Sequence, residues 1–296
     1  MRTFGLFVCA AAIAWCQGPT PETGNTIFPG GAMLSYAVDS IFRTAPSGAT
    51  ATPGIRPTLE VRQPLLLTLG IRRDLELTAV GAIATNHLND TGGTGFGDTL
   101  VHLKYRFLRL DSPRGTTQAS IGAGVKFATG RTDLRDASGA LLPVSLQPGS
   151  GSTDLFLSFN GTYTGLFNIK KLVADAAVDY LHRTEGTQAT KLGDDVHTRL
   201  YFPYRPYQSH SVGREWWIGP QLVWTHAGYD RVAMARQADT GGEIVSVGAA
   251  TYFSPRGGLE LWFGIDFPVV QRNNGIQDTT DRHISFGIGK QFQFRH

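Results

Sequence analysis

Along residues 95–108, GFGDTLVHLKYRFL, side-chain character alternates residue by residue. Thr99, Val101, Leu103, Tyr105 and Phe107 fall on one face, and Leu100, His102, Lys104 and Arg106 on the other. A period of two over about ten residues predicts a β-strand with two chemically different faces. Which face meets water depends on the fold. A soluble sandwich would turn Val101, Leu103 and Phe107 to a core and the basic row to solvent. A membrane barrel inverts this, with the apolar row against lipid and the basic row in a polar lumen.

The alternation recurs along the chain. GLELWFGIDFPVV sets Leu259, Leu261, Phe263, Ile265 and Phe267 against Glu260, Trp262, Gly264 and Asp266. DRHISFGIGKQFQF sets Ile284, Phe286, Ile288, Phe292 and Phe294 against Ser285, Gly287, Gly289, Gln291 and Gln293, and STDLFLSFNGTY sets Leu155, Leu157, Phe159 and Tyr163 against Asp154, Phe156, Ser158, Asn160 and Thr162. Twelve strands are predicted, at 32–43, 56–69, 75–86, 98–109, 117–129, 152–165, 171–183, 195–205, 214–227, 243–254, 259–270 and 282–294. Each is near or above the roughly nine to eleven residues that a tilted strand needs to cross a bilayer core. The first alternates imperfectly, and twelve is preferred by parity over ten or fourteen.

The connections sort by length. GIRRD, LFNIK and SPRGG are short turns, whereas TAPSGATATPGI, HLNDTGGTGFG, GRTDLRDASGALLPVSLQPGSG, TEGTQATKLGDD, GYDRVAMARQADTGG and QRNNGIQDTTD are longer polar loops that alternate with them. Long loops at one end, tight turns at the other and both termini at the tight-turn end define an up-and-down outer-membrane barrel. A Greek-key sandwich has no reason to sort its loops this way.

Composition agrees: the chain has 36 glycines and only 17% charged residues, above and below average usage respectively. The net charge of +3 carries no clustered basic face, which excludes a nucleic-acid footprint. The only cysteines are Cys9 and Cys16, so the body holds neither a disulfide nor a thiol nucleophile. They lie in MRTFGLFVCAAAIAWCQG, where Arg2, an apolar run from Phe4 to Trp15 and small residues at Ala12, Ala14 and Cys16 read as a secretory signal. Acylation of Cys16 is an alternative that the bulky Trp15 fits poorly. No later apolar stretch approaches the roughly 20 residues of a membrane helix, so an exported membrane protein with this sequence is a closed β-barrel. The resulting division is a signal peptide at 1–16, an N-terminal periplasmic segment at 17–31 and a barrel at 32–296.

Inward-facing positions supply the candidate site. Arg62, His102, Lys104, Arg106 and Lys126 form a basic group, Asp175, Asp179, Glu260 and Asp266 an acidic one, and Phe156, Tyr201, Trp217 and Trp262 an aromatic one. In a ring of twelve the basic and acidic groups would face each other and set a field across the lumen; the plainer reading is that they pair locally or are hydrated. Trp216, Trp224, Tyr105, Tyr163, Tyr204 and Phe294 near strand ends fit aromatic girdles. GKQFQF at 289–294 is similar to the terminal signal handed to the barrel assembly machinery, except that Gly287 stands where a polar residue is expected.

Other clusters point to weaker chemistry. His210 beside Ser211 suggests hydrolysis, as outer-membrane phospholipases use Ser and His on a twelve-stranded barrel, but the pair falls in a predicted periplasmic turn with no orienting third group. His182, Glu185, Asp194, Asp195 and His197 surround one loop without a compact ligand spacing. NDTGGTGFGD lacks the Gly-Lys-Ser/Thr ending of a phosphate loop.

GFGDTLVHLKYRFL, ASIGAGVKFATGRTD, REWWIGPQLVWTH and the closing GGLELWFGIDFPVVQRNNG and ISFGIGKQF together resemble the outer-membrane transporter family named for the MetA pathway of phenol degradation. The likeness covers roughly residues 56–294, and its most specific element is Gly95, Gly97 and Asp98 with Lys104, Tyr105 and Arg106 following. Family members often carry Pro-Thr-Gly where this chain has Ala128, Thr129 and Gly130. The resemblance implies a barrel that passes aromatic or other hydrophobic compounds, and it brings no catalytic residues. The expected function is a passive outer-membrane channel with the loop at 130–151 as a constriction. A lipid-modifying enzyme and a structural or adhesive barrel with a plugged lumen are the alternatives. Expected partners are outer-membrane lipid, the assembly machinery and a small solute, with no nucleic acid, no cofactor and no metal.

Overall fold

The structure, a computed structural model, describes residues 24–45, 56–209, 214–255 and 257–294. Among them twelve antiparallel strands close into a barrel. They are β1 Gly31–Thr44, β2 Leu59–Arg72, β3 Leu75–Leu88, β4 in two pieces (Thr91–Phe96 and Thr99–Asp111), β5 Thr116–Phe127 and β6 Asp154–Thr164. There follow β7 Val173–His182, β8 in two pieces (Asp195–Tyr201 and Tyr204–Ser209), β9 Arg214–Ala227, β10 Gly242–Ser254, β11 Leu259–Asn273 and β12 Thr279–Gln293. Each strand pairs with its sequence neighbours, and β1 closes the ring on β12, with Gly31 opposite Gln293. The predicted signal at 1–16 and the His210–Ser211 pair lie outside the described residues.

Exposure answers the question raised by the β4 sequence. His102 and Lys104 are each 1% exposed, whereas Leu103, Tyr105 and Phe107 are 45 to 50% exposed. The apolar row points outward, as it does at Leu155, Leu157 and Phe159 on β6, Phe263 and Phe267 on β11, and Phe286 and Ile288 on β12. So large a contiguous apolar surface is incompatible with a soluble monomer and matches a hydrocarbon-facing belt. Tyr163, Trp216 and Phe294 stand exposed on it near strand ends, Tyr105 mid-strand in β4 and Tyr204 at the break between the two pieces of β8, and Trp224 stacks on His226 with ring centroids 6.2 Å apart. No helix among the described residues is long and apolar enough to cross a membrane; the strands cross instead.

Two connections differ from the sequence expectation. HLNDTGGTGFG forms no long loop: β3 runs to Leu88, Asn89 turns with φ 53°, and Thr91–Phe96 pairs back along β3. Asn tolerates the left-handed conformation that so tight a turn needs. Similarly β11 and β12 extend to Asn273 and Thr279, leaving a short link in place of the loop expected there. Below the hairpin β4 bulges. Ile83 pairs with Phe96 and Val80 with Leu100, so Gly97, Asp98 and Thr99 face only Gly81 and Ala82. The extra residue re-aims the side chains around it: Asp98 keeps the inward phase of Leu100 and His102 and bonds Lys126 and Ser150, while Phe96, across the bulge, turns outward at 72% exposure.

Two apolar clusters of five buried residues each pack the interior of the described barrel. Leu66, Val80, Leu100, Phe156 and Leu181 form one, and Ala37, Val173, Trp217, Tyr252 and Trp262 the other, in the half of the barrel nearer the tight turns. The second explains why a glycine departs from the terminal assembly signal, since a Cβ on Gly287 would fall within the Trp262 indole. Gly287→Val is therefore expected to lower stability by about 1–3 kcal/mol through overpacking, read as a lower urea midpoint. Gly81→Ala serves as the control, because a Cβ there meets nothing within 4 Å.

Candidate functional site

The bulge at Asp98 organises one side of the lumen. Lys126 Nζ lies 2.6 Å from Asp98 and 2.9 Å from Asp154, and donates to Ser150 Oγ at 2.6 Å and Ser152 O at 3.2 Å. The Asp98 carboxylate also accepts from the N–H groups of Gly130 and Ser150, both at 2.9 Å. A single carboxylate thus clasps the two ends of the 130–151 loop. Further along, Leu142 and Leu146 are buried against Leu88 of β3. Gln147 ties the loop to itself through the Leu134 and Leu142 carbonyls, and Asn86 of β3 donates to Gln147 O at 2.9 Å. The loop expected as a constriction packs inward over the β3–β4 wall.

Most of the remaining inward charges pair with neighbours around the wall. Lys104 Nζ is 2.7 Å from Glu76, Arg62 Nε 3.0 Å from Glu60 and Arg199 3.9 Å from Asp179. Arg62 also donates to Pro148 O at 3.2 Å. His283 stands between Asp266 at 3.4 Å and Asp39 at 3.7 Å, and Gln221 donates to Asp266 at 2.7 Å. Asp175 accepts from the Thr162 hydroxyl at 2.7 Å, and Glu260 is buried. Arg106 sits half-buried at the tight-turn rim, where it donates to Gln118 and to Arg73 O, rather than deep in the lumen. Opposite charges therefore meet within the wall, at distances where Coulomb attraction is far stronger than across a lumen.

Of the inward aromatics, Phe156 packs edge-on to His102 with centroids 5.3 Å apart, and Tyr201 donates to Ala250 O at 3.2 Å. Trp217 donates to Glu215 at 3.2 Å beneath the Arg205 guanidinium, and Trp262 belongs to the second apolar cluster. Sequence reasoning did not single out Asp39, Glu60, Glu76, Asp154 and His283 as site residues. The inward phase of their strands could have found the first three and the last, whereas Asp154 stood in a quoted strand and lacked only its partner.

At the long-loop end the lumen opens into a vestibule whose free volume, its solvent-open mouth included, is about 1120 Å³. Ile41, Val223, Ile244 and Pro268 give it an apolar wall, and Asp266 with His283 line it where they face the lumen. Its rim carries Arg43, held by Glu60 at 3.0 Å and Asp278 at 3.3 Å, and Arg183, held by Asp195. Burial pushes the Asp278 carboxyl up against the opposing pull of Arg43 and Arg56. At the neighbouring loop, burial would raise Asp194, but the Arg183 N–H and the His182 ring outweigh it and hold the carboxyl down. The His and Asp groups around this loop do not converge: His182 is 3.0 Å from Asp194 and partly exposed, whereas His197 is buried on the inner face.

A family model described as "Putative MetA-pathway of phenol degradation" matches residues 61–280. The chain belongs to that family. The match runs from β2 to the start of β12 and includes the Asp98 clasp and most of the vestibule wall. Among solved structures, the COG4313 outer membrane channel from Pseudomonas putida F1 superposes with a TM-score of 0.66 at 12% identity, covering 92% of this chain and 99% of that one. The NanC porin (TM-score 0.48, 11% identity, 88% and 100% covered) and the β domain of the Bordetella autotransporter BrkA (0.48, 12%, 90% and 100%) are looser likenesses on which nothing rests. No curated protein matches the chain. The family's barrel, with its apolar outer belt, is an outer-membrane architecture.

Proposed function

We propose that this member of the phenol-degradation family is a non-enzymatic outer-membrane channel that passes small amphipathic solutes, aromatic compounds among them, by diffusion. The vestibule carries the reading. It offers an apolar wall beside charged pairs, the combination that suits a solute with an apolar body and a few polar groups. The lumen beyond it is lined by paired charges and aromatics, so a solute exchanges its hydration for side-chain contacts along the way. Packing of this kind admits small molecules and excludes large ones.

The test is solute flux into liposomes carrying the refolded barrel, with a panel of phenols, aromatic acids, sugars and nucleosides. Aromatic solutes of the size of phenol should enter faster than sugars of similar mass. Flux of all solutes at the rate of protein-free liposomes would overturn the proposal.

A further inference from the structure

Charge is balanced unevenly around the inner wall. Glu60 meets Arg43 and Arg62, Asp98 and Asp154 share Lys126, Asp179 meets Arg199, and Asp195 meets Arg183. Glu76 takes Lys104 on Oε1 and the Ile27 N–H, at 2.7 Å, on Oε2. Asp175 and Glu260 lie in the half nearer the tight turns. There the Thr162 hydroxyl, itself accepting from the Gly24 N–H at 3.0 Å, donates to Asp175. At the floor of the vestibule, whose lining includes Asp266 and His283, the balance fails. Asp266 and Asp39 share one imidazole: His283 Nδ1 is 3.4 Å from Asp266 Oδ2, and Nε2 is 3.7 Å from Asp39 Oδ1. Two carboxylates against one ring leave a negative charge over even when the ring is protonated. Arg62, opposite Asp39 on β2, is engaged by Glu60 and by the Pro148 carbonyl.

Donors are short in the same place. Asp39 is 2% exposed, and neither of its carboxylate oxygens has a hydrogen-bond partner; nor have Gln221 Oε1 and Ser285 Oγ. Ser285 stands directly opposite Asp39 across the β1–β12 seam, as His283 stands opposite Asp266. Gln221 of β9 reaches past β10 to donate to Asp266 at 2.7 Å, and Gly248 of β10 makes the room, since a Cβ there would lie 2.2 Å from Asp266 Oδ1. Buried acceptors without donors are costly, and an uncompensated buried charge more so. An ammonium supplies both missing things, a positive charge and three N–H donors. Among the described residues no group of three or more His, Cys, Asp or Glu side chains is arranged to hold a metal ion. Two residues from Asp39 along β1, Ile41 joins Val223, Ile244 and Pro268 in the apolar wall of the vestibule. Two residues the other way, Ala37 belongs to the cluster of Trp217 and Trp262. The acceptors thus lie between two apolar surfaces, either of which suits an aromatic body.

We propose that Asp39, Asp266 and Gln221 form a subsite for a primary ammonium, and that its occupant is an amine carried on a short aromatic body. The proposal rests on the channel reading and narrows its solute class.

The urea midpoint of the refolded barrel reads binding apart from transport, because a ligand that binds the folded state alone stabilises it. 2-Phenylethylamine, protonated at neutral pH, should raise the midpoint, whereas 2-phenylethanol and 3-phenylpropanoate, which carry the same ring, should not. Asp39→Asn and Asp266→Asn should each raise the amine concentration that gives half of this shift by about tenfold or more, through loss of a charge-assisted hydrogen bond. Heat-modifiable mobility on gels confirms that each variant is a folded barrel, and the comparison of the three compounds on the wild type needs no variant. An amine shift no larger than that of the alcohol, an equal shift from sodium chloride, or unchanged half-saturation in both folded variants would overturn the subsite. In each of those cases aromatic flux into liposomes above the protein-free rate would leave the channel reading standing. An amine-specific shift without flux of any solute would support the subsite and overturn the channel alone.

Discussion

Replacing Lys126 by alanine is expected to cost the barrel about 3–5 kcal/mol and to free the 130–151 loop. Its ammonium sits between Asp98 and Asp154, all three side chains being at most 7% exposed. Alanine leaves two carboxylates in a site with little water, and the cost is set by that uncompensated charge more than by the lost attraction. Adding Asp98→Asn should recover part of the loss by removing one charge, while the clasp on Gly130 and Ser150 weakens because an amide presents one acceptor oxygen in place of two. Two measurements check this: the urea midpoint in detergent and the rate of protease cleavage within residues 130–151. A Lys126→Ala barrel with the wild-type midpoint and an uncut loop would refute the account.

Leu103→Arg is the second large effect expected, at about 2–4 kcal/mol, because its side chain points into hydrocarbon near the middle of β4. Leu110 is also exposed, at 59% against 45% for Leu103, but it lies by Asp111 at the strand's end. There the cost of arginine should fall to about 0–1 kcal/mol. If β4 were on the surface of a soluble protein, both leucines would accept arginine with similar ease. Unfolding in lipid bilayers separates the two cases, and equal midpoints for the two variants would contradict a membrane-facing belt.

Much of the barrel is legible in the sequence because a half-buried strand writes its orientation in every second residue. The β4, β6, β11 and β12 alternation places Lys104, Asp154, Asp266 and Ser285 inside before any coordinates are known. What the alternation cannot carry is register. Lys126 meets Asp154 only because β5 and β6 pair at that offset, and Phe96 faces outward, against the inward phase of Asp98 and Leu100, only because one extra residue bulges β4. A single inserted residue reverses every orientation beyond it, so a bulge is invisible to a pattern with period two unless the partner strand is known. Residues 24–30 were illegible for another reason. Their contacts with Glu76 and Thr162 use main-chain N–H groups, which every residue except proline possesses, so no side-chain pattern announces them.

The seam between β1 and β12 also bears on how the protein is made. Gly31 opposite Gln293 joins the two ends of the barrel sequence, and contacts so distant along a chain form late. Until the final strand arrives, β1 and β11 each present an unpaired edge able to recruit foreign strands. A product truncated before Thr279 would keep both edges open indefinitely, so the cell has a simple criterion for discarding it: an incomplete copy is sticky, and a finished one offers nothing to stick to.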